Sequence, residues 1–164
     1  YTVIDLKVFL LSFGLCYAAV TFAFRRTAAS GIQTEHLTVE LAGRKITLTA
    51  LVDTGNSLTD PVTGKRIIVA EPEALMPLFT EPVRRILNRS SREDPVSVIE
   101  HLARAGGPRF RLVPYNTVGV RGGMLAAFCP DRVVIDGKGR KGLLVALAPN
   151  PVSDGAYSAL MGVL

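Results

Sequence analysis

The feature that most constrains the fold is a pair of amphipathic segments that runs directly into an aspartate. Residues 36–41 alternate between polar and apolar side chains, residues 42–45 carry turn signals, and residues 46–52 alternate and then become continuously apolar. This pattern is typical of a β-hairpin whose second strand enters a hydrophobic core. Asp53 follows that strand directly. A carboxylate at the end of an apolar strand carries a desolvation cost unless it is paired or used, so Asp53 requires an explanation.

The chain beyond Asp53 changes from β to α patterns and back. A short apolar stretch predicts a strand at residues 66–70. Helical periodicity predicts two or three short helices within residues 71–105, the last beginning near Asp94. The β patterns that return predict a glycine-rich turn at residues 119–123 and strands at residues 110–117, 124–128, 132–136 and 142–147. The prediction is a mainly β fold with a short helical insertion.

An uncharged apolar run precedes this domain. Residues 8–24 contain no charged side chain, and their number is just sufficient to cross the apolar core of a bilayer. Arg25 and Arg26 follow the run, and by the positive-inside rule they place the following chain in the cytoplasm. The alternative is a buried core helix, although a core helix of this length usually shows a polar stripe. The expected organisation is a transmembrane helix with its cytoplasmic stop at residues 1–26, a tether at residues 27–34 and a folded domain at residues 35–164.

Composition excludes several classes of function. The two cysteines and two histidines are widely scattered, so they predict no structural zinc site, and we expect no metal or other cofactor. The formal net charge is +5, but the basic side chains are spread along the chain without interleaved aromatic residues. Nucleic-acid binders usually concentrate charge and stacking rings together, so we expect no nucleic-acid partner. The basic residues are more typical of a solvated face that can rest on anionic lipid headgroups.

Residues 53–56 read Asp-Thr-Gly-Asn and admit two interpretations. Turn aspartates are common, so the triplet Asp-Thr-Gly alone favours a structural turn. Its position after an amphipathic hairpin, with a glycine that permits a tight turn, is instead the layout that aspartic peptidases use for each half of their catalytic pair. Residues 160–162, Leu-Met-Gly, supply the second expected element, a short apolar segment with a glycine that passes beside the catalytic loop. The context therefore favours a catalytic interpretation.

Three segments together carry a resemblance to a known family. Residues 51–61, 114–119 and 125–128 resemble the sporulation sigma-E factor processing peptidases, which are membrane-bound aspartic proteases of endospore-forming bacteria. The resemblance extends over the apolar run and essentially the whole soluble part. It implies a retropepsin-like aspartic protease half-barrel, preceded by one transmembrane helix and located on the cytoplasmic side of the cell membrane at the sporulation septum. It also implies that the enzyme removes the N-terminal pro-segment of pro-sigma-E.

The expected mechanism requires two chains. Aspartic proteolysis needs two carboxylates that share one proton, because two like charges so close together cannot both ionise. The sequence contains Asp-Thr-Gly once, so we expect a symmetric homodimer in which each chain contributes Asp53. Pro-sigma-E, membrane lipid and an activating protein are the other partners considered, and residues 71–105 are the candidate surface for the sigma factor or the membrane. The alternative is a noncatalytic, membrane-anchored β-barrel that binds a partner protein, with Asp53 only supporting a turn.

The expected site residues fall into three groups. They are Asp53, Thr54, Gly55 and Asn56 in the catalytic loop; Leu160, Met161 and Gly162 packed beside that loop; and Gly119, Gly122 and Gly123 in a flap. The resemblance implies that Thr54 hydrogen-bonds across the dimer interface and Gly55 permits the turn, while Asn56 has no role beyond bonding within the loop. The glycine-rich turn has two open interpretations, the tip of a flap that closes on substrate or an ordinary hairpin loop.

Overall fold

The structure is a computed structural model of the 164-residue chain, and it describes residues 6–28, 33–89, 95–117 and 120–163. The chain divides into two compact units, Tyr1–Gln33 and Thr34–Leu164. The first unit contains helix α1, Leu6–Ala28. The described elements of the second unit are β1 Thr34–Leu41, β2 Arg44–Val52, β3 Arg66–Ala70, α2 Pro72–Leu75, a 3-10 turn Met76–Leu78, α3 Glu81–Arg89, α4 Pro95–Arg104, β4 Phe110–Thr117, β5 Val120–Phe128, β6 Arg132–Ile135, β7 Lys138–Arg140, β8 Leu143–Leu147 and β9 Ala159–Met161.

Helix α1 contains the apolar run at residues 8–24. Its described apolar side chains are exposed, among them Leu11 at 78% and Leu15 at 75%. Where the structure describes side chains, it contains no helix that combines the length and the apolar character needed to cross a membrane. The predicted tether at residues 27–34 includes residues 29–32, which lie outside the described residues.

The described strands of the second unit form one nine-stranded sheet with the order β4-β5-β8-β3-β9-β2-β1-β6-β7. The predicted hairpin is present, with β1 and β2 antiparallel from the pair Thr34 and Leu51 to the pair Leu41 and Arg44. Strand β9 lies between β2, to which it is parallel, and β3, to which it is antiparallel. This insertion of a late strand beside β2 places the residues after β9 next to the residues after β2.

The helices between β3 and β4 form part of the main core. Leu75, Val83 and Leu102 are fully buried there, and they belong to the same apolar cluster as residues of β1, β5 and β9. Phe79, between the 3-10 turn and α3, packs edge-on against Phe128 of β5 with a centroid distance of 5.4 Å. The predicted mainly β class with a helical segment at residues 71–105 is confirmed, and the retropepsin-like half-barrel stays a prediction.

The predicted glycine-rich turn at residues 119–123 is wrong in its bounds. Strand β5 begins at Val120, so Gly122 and Gly123 lie within the strand. Gly123 is paired with Tyr115 of β4, and the hairpin closes between Thr117 and Val120. Gly119 and Asp94, the predicted start of the last helix, lie outside the described residues. Gly122 and Gly123 therefore extend one arm of the β4–β5 hairpin rather than forming its tip.

Candidate active site

The parallel pairing of β2 with β9 determines where Asp53 lies. The ladder ends at the pair Val52 and Met161, and the backbone N–H of Asp53 then donates to the carbonyl of Met161 at 2.8 Å. Asp53 itself is exposed. The prediction that its carboxylate carries a desolvation cost is therefore wrong for the single chain, because β2 ends before the carboxylate enters the core. The chain offers Asp53 to solvent or to whatever packs against this surface.

The loop after Asp53 is closed by its own backbone. The N–H of Asn56 donates to the carbonyl of Asp53 at 3.0 Å, and the N–H of Gly55 donates to the Asp53 carboxylate atom Oδ1 at 2.9 Å. The N–H of Leu58 donates to Oδ1 of Asn56 at 3.0 Å, which gives Asn56 a definite role as the side chain that closes the next turn. These bonds are local side-chain caps of the kind that Asp and Asn favour. They hold one carboxylate oxygen in place and leave the loop surface open.

Gly162 is required by the close approach of two backbone segments. A Cβ atom placed on Gly162 would lie 2.2 Å from the carbonyl oxygen of Asn56, which is far inside van der Waals contact. Met161, immediately before it, is 2% exposed, and Leu160 lines the open groove described below. Residues 160–162 therefore pack beside the loop of residues 53–56, and only a residue without a side chain fits at the last position.

A groove of about 760 Å³ begins at this loop. Asp53, Gly55 and Leu160 line one end of it, Tyr115 and Leu125 line the β4–β5 side, and the segment of residues 148–152 lines the opposite side. Thr54 is not among the residues that line the groove; it lines a separate cavity of about 250 Å³ with Gly162 and Val163. The loop thus presents Asp53 to the groove and Thr54 to a different surface.

The β4–β5 hairpin carries an aromatic ring over a glycine. The Tyr115 ring packs so closely on Gly123 that a Cβ atom at residue 123 would lie 2.3 Å from the ring atom Cε1. Gly122, in the same strand, has a φ of 76°, which side-chain-bearing residues rarely adopt. Both glycines therefore have structural reasons to be present. Their use in a moving flap stays a prediction, and Gly119 lies outside the described residues.

Asp60 is a buried, hydrogen-bonded aspartate at a position where the sequence alone indicates only a turn. It is 2% exposed, and its carboxylate accepts bonds from the Thr63 hydroxyl, from the Val62 N–H at 3.2 Å and from the Arg111 guanidinium at 3.0 Å. The Thr63 bond is the main cause that lowers the pKa of Asp60, with Val62 and Arg111 adding to it and burial opposing it. Asp60 therefore ties the chain segment that follows the Asp53 loop to β4, which contributes Pro114 and Tyr115 to the groove.

Replacement of Asp60 by Asn has an expected pH-dependent effect on stability. Because the folded chain favours the ionised carboxylate, its charge stabilises the fold at pH values above the usual pKa of about 3.9. This contribution is lost as the pH falls through the lower pKa of the folded state. Asp60→Asn should therefore lower the thermal midpoint at pH 7, and the difference from wild type should shrink at a pH of about 2. Equal differences at both pH values would show that the charge of Asp60 is not the cause.

The described residues offer little for a metal. They contain no group of three or more His, Cys, Asp or Glu side chains placed to hold an ion. Cys129 is exposed, and the Lys65 ammonium lies 3.8 Å from its sulfur. The carboxylate of Asp53 accepts the Gly55 N–H, and that of Asp60 pairs with Arg111.

Comparison with known proteins identifies the class of this chain. It belongs to the peptidase family of the sporulation factor SpoIIGA, whose profile matches residues 2–163. It is 30% identical over 98 residues to the sporulation sigma-E factor-processing peptidase of Bacillus subtilis (strain 168), an alignment that covers 58% of this chain and 31% of the relative. The family resemblance inferred from residues 51–61, 114–119 and 125–128 is confirmed.

The alignment with a second relative covers a larger share of that relative's length. It is a protein of Bacillus thuringiensis subsp. kurstaki whose name assigns it provisionally to the sporulation sigma factor-processing peptidases, and it is 30% identical over 105 residues. That alignment covers 62% of this chain and 61% of the relative, so the chain spans from about a third to three fifths of the length of these curated relatives. No solved structure matches the chain significantly.

Proposed function

We propose that this chain is an aspartic endopeptidase that acts as a homodimer and removes the N-terminal pro-segment of pro-sigma-E during sporulation. The observation that carries the proposal is the exposed Asp53 that lines the groove, in an Asp-Thr-Gly loop held by one backbone bond to Met161 of β9 and by bonds within the loop. The names of the two relatives support the sigma-factor substrate. The direct test is cleavage of co-expressed pro-sigma-E in membranes: loss of cleavage in Asp53→Asn supports the proposal and normal cleavage contradicts it.

The proposed chemistry needs a pair of Asp53 residues. One member is ionised and takes a proton from the bound water as that water attacks the peptide carbonyl, while the protonated member hydrogen-bonds the carbonyl oxygen. Asp53 and Thr54 are both exposed in the single chain, so a second chain can pack on this surface without unfolding either loop. Thr54 is exposed and does not line the groove, which leaves it available for the proposed bond to the partner's loop. The pair then titrates as a unit rather than as two independent residues.

Mixed dimers provide the test of a shared site. If chains pair at random and each active site needs two intact Asp53 residues, a ninefold excess of Asp53→Asn chains should reduce cleavage to about 1% of the all-wild-type value at equal total protein. Independent catalytic chains would retain about 10% under the same conditions. The measurement is the initial rate of pro-sigma-E cleavage at a series of mixing ratios. A linear dependence on the wild-type fraction would rule out the shared pair.

We also propose that α1 attaches the enzyme to the cell membrane, with the protease domain on the cytoplasmic side at the sporulation septum. The support is the exposed apolar surface of α1, on which Phe9, Leu11 and Leu15 are all more than half exposed, and the position of Arg25 and Arg26 after the run. Attachment also raises the local concentration of the chain, which favours dimers. Retention of the full chain in the membrane pellet after an alkaline wash supports this proposal, and release into the supernatant contradicts it.

A further inference from the structure

A second cavity, of about 580 Å³, adjoins the groove that contains Asp53. The two share five lining residues, Leu125 of β5 and the segment of residues 148–151. The other walls of the second cavity come from the start of α2, the end of α3, and α4. The two cavities therefore lie side by side.

Strand β5 borders both cavities: Met124, Leu125 and Ala126 line the second cavity, and Leu125 also lines the groove. Leu125 is 3% exposed and packs in the cluster with Val113 that borders the groove, whereas its neighbour Met124 is 45% exposed and lines only the second cavity. Strand β5 pairs with β8 only at Ala127 and Phe128, so within the described residues its edge before Ala127 has no strand partner on that side. An extended peptide laid along this edge would direct alternate side chains to opposite faces, one into each cavity.

The second cavity combines an apolar floor with an acidic rim. Leu87 and Val98, which are 3% and 5% exposed, contribute the floor with Met124. Glu71 and Glu73 stand at the rim, and no described cation forms an ion pair with either. One carboxylate oxygen of Glu71 accepts the N–H of Val152 at 2.9 Å, which fixes its position against the segment that both cavities share. A side chain with a long apolar stem and a positive end complements this surface.

We infer that the second cavity is a substrate subsite for a lysine or arginine side chain, carried by the same extended peptide whose scissile bond lies at Asp53. This inference rests on the proposed function, since it assigns specificity to the same groove. The aliphatic stem packs on Met124 and the floor, and the cationic end approaches the Glu71 and Glu73 carboxylates. The chain thus selects substrate at a distance from the bond it cleaves.

The test uses short fluorescent peptides of one apolar sequence in which a single Lys, or Gln in its place, is moved along successive positions. Their binding to full-length Asp53→Asn protein in detergent is measured by anisotropy, so that no cleavage is needed. At one position we expect the Lys peptide to bind about fivefold more tightly than the Gln peptide. The preference should disappear in the Glu71→Gln/Glu73→Gln double variant, in which the amide oxygen at position 71 can still accept the Val152 N–H. A Glu73→Lys variant should bind a Glu peptide in preference to the Lys peptide.

The control is Glu81→Gln, which removes an exposed carboxylate of α3 that lines neither cavity and should leave the Lys preference intact. Equal binding of Lys and Gln peptides at every position overturns the inference, as does a preference that survives the double variant. The proposed function is judged separately: if Asp53→Asn still cleaves pro-sigma-E, the aspartic mechanism fails, while the binding comparison continues to decide whether the second cavity selects a cation.

Discussion

Replacement of Asp53 by Asn should abolish cleavage of pro-sigma-E, with a rate at least about 10⁴-fold below wild type, because the amide can neither take a proton from the attacking water nor share one with the other chain. The fold should survive. Asp53 is exposed, and an Asn side chain of the same shape can still accept the Gly55 N–H that now reaches Oδ1. The measurement is the ratio of processed to unprocessed pro-sigma-E in membranes from cells that co-express the two proteins.

The matched control is Asp154→Asn, because Asp154 is also an exposed aspartate in a loop but does not line the groove. It should leave cleavage within about twofold of wild type, since surface changes away from the site have small effects. If Asp53→Asn is folded by circular dichroism and processes pro-sigma-E normally, the protease interpretation is wrong. The noncatalytic, partner-binding β domain, in which Asp53 only supports a turn, then becomes the better account of the chain.

Replacement of Gly162 by Ala should have the second-largest effect, although residue 162 carries no chemistry. The added Cβ would lie 2.2 Å from the Asn56 carbonyl oxygen, so the backbone of residues 53–56 must move to admit it. A misplacement of about 1 Å at a catalytic group commonly costs about 100-fold in rate, and we expect a loss of that order in cleavage. Overpacking of this kind also lowers the free energy of unfolding, by about 1–3 kcal/mol.

Gly139→Ala is the comparison for this variant. Gly139 lies in β7, and the nearest atoms to a Cβ there belong to the Arg132 side chain at 3.8 Å, an ordinary contact. It should have nearly wild-type cleavage and thermal stability. Wild-type cleavage by Gly162→Ala would mean that the 160–162 segment does not position the loop, and the close approach of Gly162 to Asn56 would lose its functional meaning.

Much of the sheet could be predicted because its strands carry period-two patterns or short apolar runs. The β1–β2 hairpin, β3 at residues 66–70 and β4 at residues 110–117 follow from such signals. β9 could not be predicted as a strand, because three residues, Ala159–Met161, are too few to show a period and follow a polar loop. Its place between β2 and β3 arises from pairing between distant segments, which no local pattern records.

In the candidate site too, residues whose role depends on neighbouring residues could be predicted, and those whose role depends on distant residues could not. Asp53 is visible from the sequence because its neighbours form a recognisable loop. Asp60 is visible only as a turn residue, since its partner Arg111 lies 51 positions away and the burial of Asp60 depends on how the loop meets β4. The exposure of Asp53 could not be predicted for a related reason: β2 pairs with the distant strand β9 only as far as Val52 and Met161, and Asp53 follows the end of that ladder.

The pairing of β2 with β9 also determines when the candidate site can form. Residues 53 and 161 lie far apart in the chain, so the loop is stabilised by one of the contacts with the greatest sequence separation in the domain. We expect contacts between residues so far apart in the chain to form late in folding, because closing the long connecting segment has a large entropic cost. On a ribosome, the hairpin that carries Asp53 emerges well before β9 does. A partly synthesised chain therefore carries the aspartate without the support that would give it proteolytic activity.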